Sequence, residues 1–336
     1  MNTGTTINIV SDKDYSRLSD VINLLEWKNV TPDKTNIFVA CHSGITNLPL
    51  CSDMLTIISS DEDITTNSCK VVYNSDDAFE KKFGVSYSEG SKIHYIWSHP
   101  DIIDGDYVGI CHYRRFFEPL LCFDSKALNK IFTKTLGERK GIIVPHKMSF
   151  TKDSGDDVAL TNRDVFNRDH LKEPMDVLVN VIKEYYPRYY KTTLEVLGEK
   201  DMFYLNMFIM KKDMFDKYCG FVFGALNRLN RAMEFSCDED VQAYIDKMGA
   251  EGKIRIFNND GDIKWQYRLH GFLMEYLTSI FIRKNYDTKS TYISNVIFTE
   301  ENNSPDINVI EKPKKECFLK KLFRKIKEFF KKKKGC

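Results

Sequence analysis

The sequence predicts an α/β domain with a mostly parallel sheet flanked by helices. Three observations carry that expectation. Short apolar runs alternate with helical periodicities through the first 150 residues, the pattern that layers helices on a parallel sheet. The chain has 336 residues, enough for one large domain with appendages at about 100–200 residues per domain. Its 23 Phe, 17 Tyr and 3 Trp can fill a sizeable core and exclude a disordered chain.

The elements follow in order. Leu18, Val21, Ile22, Leu24 and Leu25 fall at helical spacing, which predicts a helix in an N-terminal extension over residues 1–35. NIFVAC (residues 36–41) reads as a short buried strand ending at His42, and residues 54–58 and 70–73 as two more. SEGSKIHYIWSH (88–99) reads as a helix stopped by Pro100. DYVGICHYRRFF (106–117) reads as a strand flanked by charge, and GIIVP (141–145) as another short strand. Residues 175–186 and 213–229 show helical periodicity. The main domain is then residues 36–300. Residues 301–316 are polar, hold Pro305 and Pro313, show no period and read as a linker.

The total charge of +1 conceals a split. Residues 312–336 carry twelve Lys/Arg against Glu316 and Glu328, a net +10 that leaves −9 for the remainder. Within residues 317–336, Phe318, Leu319, Leu322, Phe323, Ile326, Phe329 and Phe330 recur in steps of three and four. A helix there has one apolar aromatic stripe and a basic remainder, which suits adsorption on an anionic membrane surface. Docking on the body, a calmodulin-type target and a nucleic-acid arm are the rival readings. The acidic body itself argues against a nucleic-acid binder.

Several classes are excluded. No stretch approaches the ~20 apolar residues of a membrane span. The start lacks a basic region followed by an apolar one, as a signal peptide has. The nine cysteines form no C-x-x-C, which points to reduced thiols in a cytoplasm rather than zinc or disulfides. Neither G-x-S-x-G nor a P-loop occurs.

In open α/β sheets ligands sit beyond the carboxyl ends of the strands. His112, Tyr113, Arg114 and Arg115 fall where a buried run emerges. Two guanidiniums suit a diphosphate, because each offers a planar fork of donors and a permanent charge. The rival reading has the arginines in surface ion pairs and Tyr113 packed. Asp-x-Asp triplets that could serve a metal stand at Asp61/Asp63, Asp104/Asp106, Asp238/Asp240 and Asp260/Asp262. Only Asp61/Asp63 follows a predicted strand. Asp104/Asp106 precedes its strand, Asp238/Asp240 reads as a helix cap, and Asp260/Asp262 as a hairpin turn between IRIF and IKWQY.

Five blocks carry a resemblance: residues 37–42; Glu89 with Tyr95 and Trp97; His112 to Arg115; NMFIMKK (206–212) followed by Tyr218 and Cys219; and Arg268 with Gly271, Phe272 and Glu275. In this order they resemble a bacterial family of capsular-polysaccharide and lipopolysaccharide glycosyltransferases, once catalogued only as a domain of unknown function. The resemblance covers residues 36–283. It departs at NSDDAFEKKFGVSYSE, where the family has a Gly-Asp-Asn-Ile-Ser stretch, at Gly220, where it has Trp, and at Tyr276, where it has Arg.

The resemblance implies a GT-A-like fold and sugar transfer from a nucleotide-diphosphate donor, with galactofuranose one documented donor sugar. The acceptor would be a glycan or a lipid-linked sugar. On this reading Arg114 and Arg115 stabilise the departing diphosphate as fixed charges, and Glu275, which opens into the apolar helix YLTSIFI, is the general base, with Asp238 and Asp240 in reserve. His42, Glu89, His112, Tyr113, Asn206 and Arg268 bind substrate. No cofactor is required and no metal ligand is assigned, though Mg²⁺ or Mn²⁺ would suit a GT-A site. With the tail, this gives a cytoplasmic enzyme peripheral on the inner face of the cell membrane. The competing class is a non-catalytic, membrane-associated protein of the same fold that binds a phosphate-bearing ligand or nucleotide sugar.

Overall fold

The computed structural model describes residues 7–9, 15–24, 29–42, 52–64, 66, 69–137, 141–150, 160–254 and 263–298. The predicted linker (301–316), the basic amphipathic helix (317–336) and Asp260/Asp262 lie outside the described residues.

The strands are β1 (Ile7–Ile9), β2 (Ser16–Arg17), β3 (Thr35–Cys41), β4 (Leu55–Ser59), β5 (Lys70–Tyr73), β6 (Tyr107–His112) and β7 (Arg115–Phe117). They continue as β8 (Ile142–Val144), β9 (Lys147–Phe150), β10 (Asp201–Phe203), β11 (Phe208–Lys211), β12 (Thr291–Ile293) and β13 (Val296–Phe298). The main sheet runs β2-β12-β8-β11-β6-β3-β4-β5. Along this order the pairings are parallel except at β11, which is antiparallel to both β8 and β6, and β7 and β13 extend the sheet antiparallel beside β6. The expected mostly parallel sheet flanked by helices is therefore the fold the chain adopts. A small antiparallel sheet, β1-β9-β10, stands beside it.

β3 is buried along its whole length, as a central strand covered by helices on both faces must be. Its side chains divide two cores. Phe38 packs with Phe83, Tyr87, Ile93 and the later helices, while Ile37 and Val39 pack with Leu18, Leu128 and Phe132. The helices are α1 (Leu18–Leu24), α2 (Ala78–Tyr87), α3 (Glu89–Ser98), α4 (Glu118–Cys122), α5 (Ser125–Phe132) and α6 (Asn162–Asp169). After them come α7 (Lys172–Tyr185), α8 (Pro187–Gly198), α9 (Lys212–Ala232), α10 (Asp238–Ala250) and α11 (Leu269–Asn285). Among the described residues no helix is long and apolar enough to cross a membrane.

Three sequence expectations change. The run 106–117, read as one strand, is a hairpin in which β6 turns at Tyr113 and Arg114 into antiparallel β7, with His112 opposite Arg115. The turn is pinned by the Tyr113 backbone N–H donating to the Ala40 carbonyl at 3.1 Å. IKWQYR, read as the second arm of a hairpin, is a 3₁₀ helix, Ile263–Arg268. Glu275, read as opening an apolar helix, lies in the middle of α11, whose buried residues surround it. A helix apolar nearly all round belongs in the core, and the single carboxyl it carries inward is its anomaly.

Asp238 has a structural task. Its carboxylate accepts from the Val85 and Ser86 backbone N–H groups at 2.8 and 2.9 Å, beside the kink at Phe83 in α2. Asp238→Ala strands both donors. We expect a loss of roughly 2–4 kcal/mol of stability, read as a lower urea midpoint with unchanged slope.

Candidate functional site

Strands β3, β4, β5 and β6 are parallel, so their carboxyl ends share one edge. β11 runs opposite to β6, with Phe208 against Ile110, so the chain entering β11 reaches that same edge. His112 ends β6 and Arg115 starts β7 there. Arg114 occupies the turn, its guanidinium 4.6 Å from the Tyr113 ring centroid. Tyr113 meets the His42 ring edge-on at 4.8 Å, beside the end of β3.

The β10–β11 connection is unusual. Leu205 and Asn206 have φ of +78° and +50°, the left-handed region that side chains other than glycine rarely adopt. Such backbone persists only where neighbours impose it. Here α11 does so. Glu275 Oε1 accepts from the Leu205 N–H at 2.9 Å, Thr278 donates to Asn206 Oδ1 at 2.9 Å, and Ser279 Oγ accepts from the Phe203 N–H at 2.9 Å. The strained pair thus turns the Leu205 carbonyl toward the His112 ring and the Asn206 amide toward Glu89.

Glu89 enters from the first residue of α3, where Gly90 allows close approach to α11. A Cβ at Gly90 would stand 2.2 Å from Met274 Sδ. Glu89 Oε1 accepts from Asn206 at 3.0 Å, and Arg268 Nη2 lies 3.4 Å from Glu89 Oε2. The structure therefore brings together Glu89, His112, Arg115, Asn206, Arg268 and Glu275, with His42, Tyr113 and Arg114 along the rim. Two polar atoms here, His112 Nε2 and Arg268 Nε, are buried without a protein partner. They are the groups a bound molecule would satisfy.

The two carboxyls are driven apart. Burial opposes the Glu89 charge, yet His112, Arg268 and the Asn206 hydrogen bond outweigh it and hold its pKa near 2. Glu275 is pushed up to about 7, first by burial and then by the Glu89 charge, against the Leu205 N–H, Arg268 and Arg115. Burial lowers His112 to about 4, so the ring is neutral at pH 7. Burial also lowers Arg115, with Glu89 and Glu275 opposing. His42 is lowered by desolvation and then by Arg268 and Lys92. Two carboxyls with separated pKa values are the arrangement that divides an anion holding charge from a proton acceptor.

The Glu275 shift has a consequence for stability. The unfolded carboxyl ionises near 4.5 and the folded one near 7, so between these values the folded state binds more protons. Stability contributed by the protonated form is lost as pH rises through that window. Glu275→Gln keeps an oxygen for the Leu205 N–H but carries no charge. The variant should gain on the wild type by on the order of 1–3 kcal/mol between pH 5 and 8, measured by denaturant titration at both.

Other candidates stand elsewhere. Trp97 donates to Asp216 at 2.8 Å and stacks on Phe223, and Tyr95 stacks on His99, all at the far end of α3. His170 is half-buried, stacked on Trp265 and Phe272 and hydrogen-bonded to Gln266 at 3.0 Å. Asp104 receives Asn36 at the entry end of β6, and Asp61 caps its own loop by accepting from the Asp63 N–H at 3.0 Å. Among the described residues no three His, Cys, Asp or Glu gather where a metal ion would be held. The sequence reading missed Lys92, which is buried against Glu80 at 2.5 Å and contributes to the field at His42. It also missed Thr278 and Leu205. Lys92 and Thr278 each follow a chosen glutamate by three helical residues, so the same face of the helix was the available signal.

The profile of a family described as "domain of unknown function (DUF4422)" matches residues 36–258. No curated protein matches. Among solved structures, the chain is similar to the apo structure of the bifunctional glycosyltransferase WbbM, with TM-score 0.57 and 18% identity over 80% of this chain and 46% of that one. This chain thus spans about half the length of WbbM. The X-ray structure of the mannosyltransferase Ktr4p from S. cerevisiae aligns over 91% of this chain and 88% of its own, at TM-score 0.36 and 10% identity, too loosely to bear on the fold. The WbbM likeness is one of fold.

Proposed function

The chain belongs to the DUF4422 family, and from that membership and the site's geometry we propose that it is a glycosyltransferase. It moves a hexose, with galactofuranose among the candidates, from a nucleotide-diphosphate donor to a glycan or lipid-linked acceptor in cell-surface polysaccharide assembly. The observation that carries this reading is the meeting of Arg115 and Arg268 with a carboxyl of raised pKa at the carboxyl edge of β6.

Arg115, with Arg114 from the turn, neutralises the diphosphate and stabilises it as the bond to the sugar breaks. The guanidiniums are fixed before substrate arrives, so they need no reorganisation and no metal to fill the role. His112, neutral and donating to the Leu205 carbonyl, presents Nε2 as an acceptor for a sugar hydroxyl. Arg268, held by Glu89, lines the sugar's side, while His42 and Tyr113 face the nucleotide. Asn206, expected to bind substrate, is fully buried with its amide committed to Glu89, Gly271 and Thr278, and acts from behind Glu89. In an inverting transfer Glu275 takes the acceptor's hydroxyl proton, the freed oxygen attacks the anomeric carbon, and the carbon–oxygen bond to the diphosphate breaks. The basic amphipathic segment 317–336 keeps the enzyme at the inner membrane face, where a lipid-linked acceptor is met in two dimensions.

The test is nucleoside-diphosphate release from a panel of nucleotide sugars mixed with membrane extract. Release dependent on one donor and on the extract is the expected result. Tight donor binding without turnover, unchanged by Glu275→Gln, would instead favour a binding protein.

A further inference from the structure

Behind the site a line of buried polar groups crosses the core between α9 and α11. Tyr218, Thr278 and Asn206 are 0%, 2% and 0% exposed. Tyr218 OH lies 2.9 Å from Thr278 Oγ1, Thr278 Oγ1 lies 2.9 Å from Asn206 Oδ1, and Asn206 Nδ2 lies 3.0 Å from Glu89 Oε1. Chemistry fixes the direction of the line. A carboxylate and an amide oxygen only accept, so Asn206 must donate to Glu89, and Thr278 must give its one hydrogen to Asn206. The Thr278 oxygen is then left as acceptor and Tyr218 as donor. The second Asn206 amide hydrogen points at the Gly271 carbonyl at 3.4 Å, so a flipped amide would face an acceptor with an acceptor.

Packing alone does not require this line, because burying three polar side chains costs more than burying apolar ones of the same shape. Its far end reaches the candidate site. Glu89 meets Arg268, whose side chain is 43% exposed and whose Nε has no protein partner. The other charged or titratable groups within reach of the Glu89 charge include His42, His112, Arg115, Tyr218 and Glu275.

We propose that Tyr218 and Thr278 are positioning residues, forming with Asn206 a one-way hydrogen-bond relay that sets Glu89 and, through it, orients the Arg268 guanidinium toward the ligand. The inference rests on the glycosyltransferase reading for what Arg268 grips, but not for the relay itself.

Thr278→Val removes the hydroxyl at nearly constant shape, and Thr278→Ser keeps it. In full-length protein, Thr278→Val should raise the donor KM about tenfold, the equivalent of one lost charge-assisted hydrogen bond, with kcat within about twofold. Thr278→Ser should restore the KM. A readout without turnover is the Arg268 side-chain Nε–H signal in ¹⁵N spectra, assigned by its loss in Arg268→Lys. It should be sharp in wild type and Thr278→Ser and averaged in Thr278→Val. If Thr278→Val, folded by its circular dichroism, leaves that signal unchanged, or if valine and serine behave alike, the relay is wrong. If wild type transfers nothing from any donor while the signal still responds, the relay stands and the functional reading fails.

Discussion

Glu275→Gln should slow sugar transfer by about 10²–10⁴-fold, the usual worth of a general base, while donor affinity stays within about threefold. The reason lies in how the sequence buries this one carboxyl. Apart from Thr278 and Ser279, whose hydroxyls are taken by Asn206 and Phe203, its neighbours on α11 are apolar, and its own oxygen accepts from the Leu205 N–H. Burial and the Glu89 charge hold its pKa near 7, where a carboxylate is basic enough to take a hydroxyl proton. A base works deprotonated, so the wild-type rate should climb as pH rises through about 7 and level above it. The residual rate of Glu275→Gln should lack that acid limb. A steady-state pH profile of both proteins reads magnitude and limb together.

Arg115→Met should cost on the order of 10²–10³ in kcat/KM for the donor, the loss of one fixed donor to a developing negative charge. Two effects combine. The diphosphate loses a guanidinium, and Glu89 and Glu275 lose a neighbouring cation, which pushes the Glu275 pKa higher still. The acid limb of the remaining activity should therefore move to higher pH. Arg115→Lys should recover little, because an ammonium lacks the planar fork. Arg114→Met should cost less, since the Arg114 guanidinium rests over the Tyr113 ring in the turn.

The strands β3, β4, β5 and β8 were legible because each is a short apolar run, with β5 falling on residues 70–73 as its sequence suggests, whereas the short strands β1, β2, β9, β10, β12 and β13 were not read. The turn at Tyr113 and Arg114 was not. A strand that reverses carries no glycine or proline when a neighbouring strand pins it, as the Ala40 carbonyl does here. Both glutamates were found through their motifs, yet their opposite protonation depends on partners brought from residues 112, 206 and 268. No local pattern encodes that. The positive φ at Leu205 was equally hidden, because nothing in the residue type asks for it and α11 imposes it from outside. Asp238 looked like a helix cap for its own segment, and instead it closes the kink in α2, a contact set by tertiary packing.

The central claim is that fixed guanidinium charges at the carboxyl edge of β6 hold the diphosphate of a nucleotide sugar. The most direct measurement is thermal unfolding of the full chain with a panel of nucleotide sugars in excess chelator. A donor at a hundred times its Kd should stabilise the protein by about 2.7 kcal/mol, and Arg115→Met should abolish the shift at the same concentration. No shift with any nucleotide sugar, or a shift that appears only with Mn²⁺ and survives Arg115→Met, would contradict it.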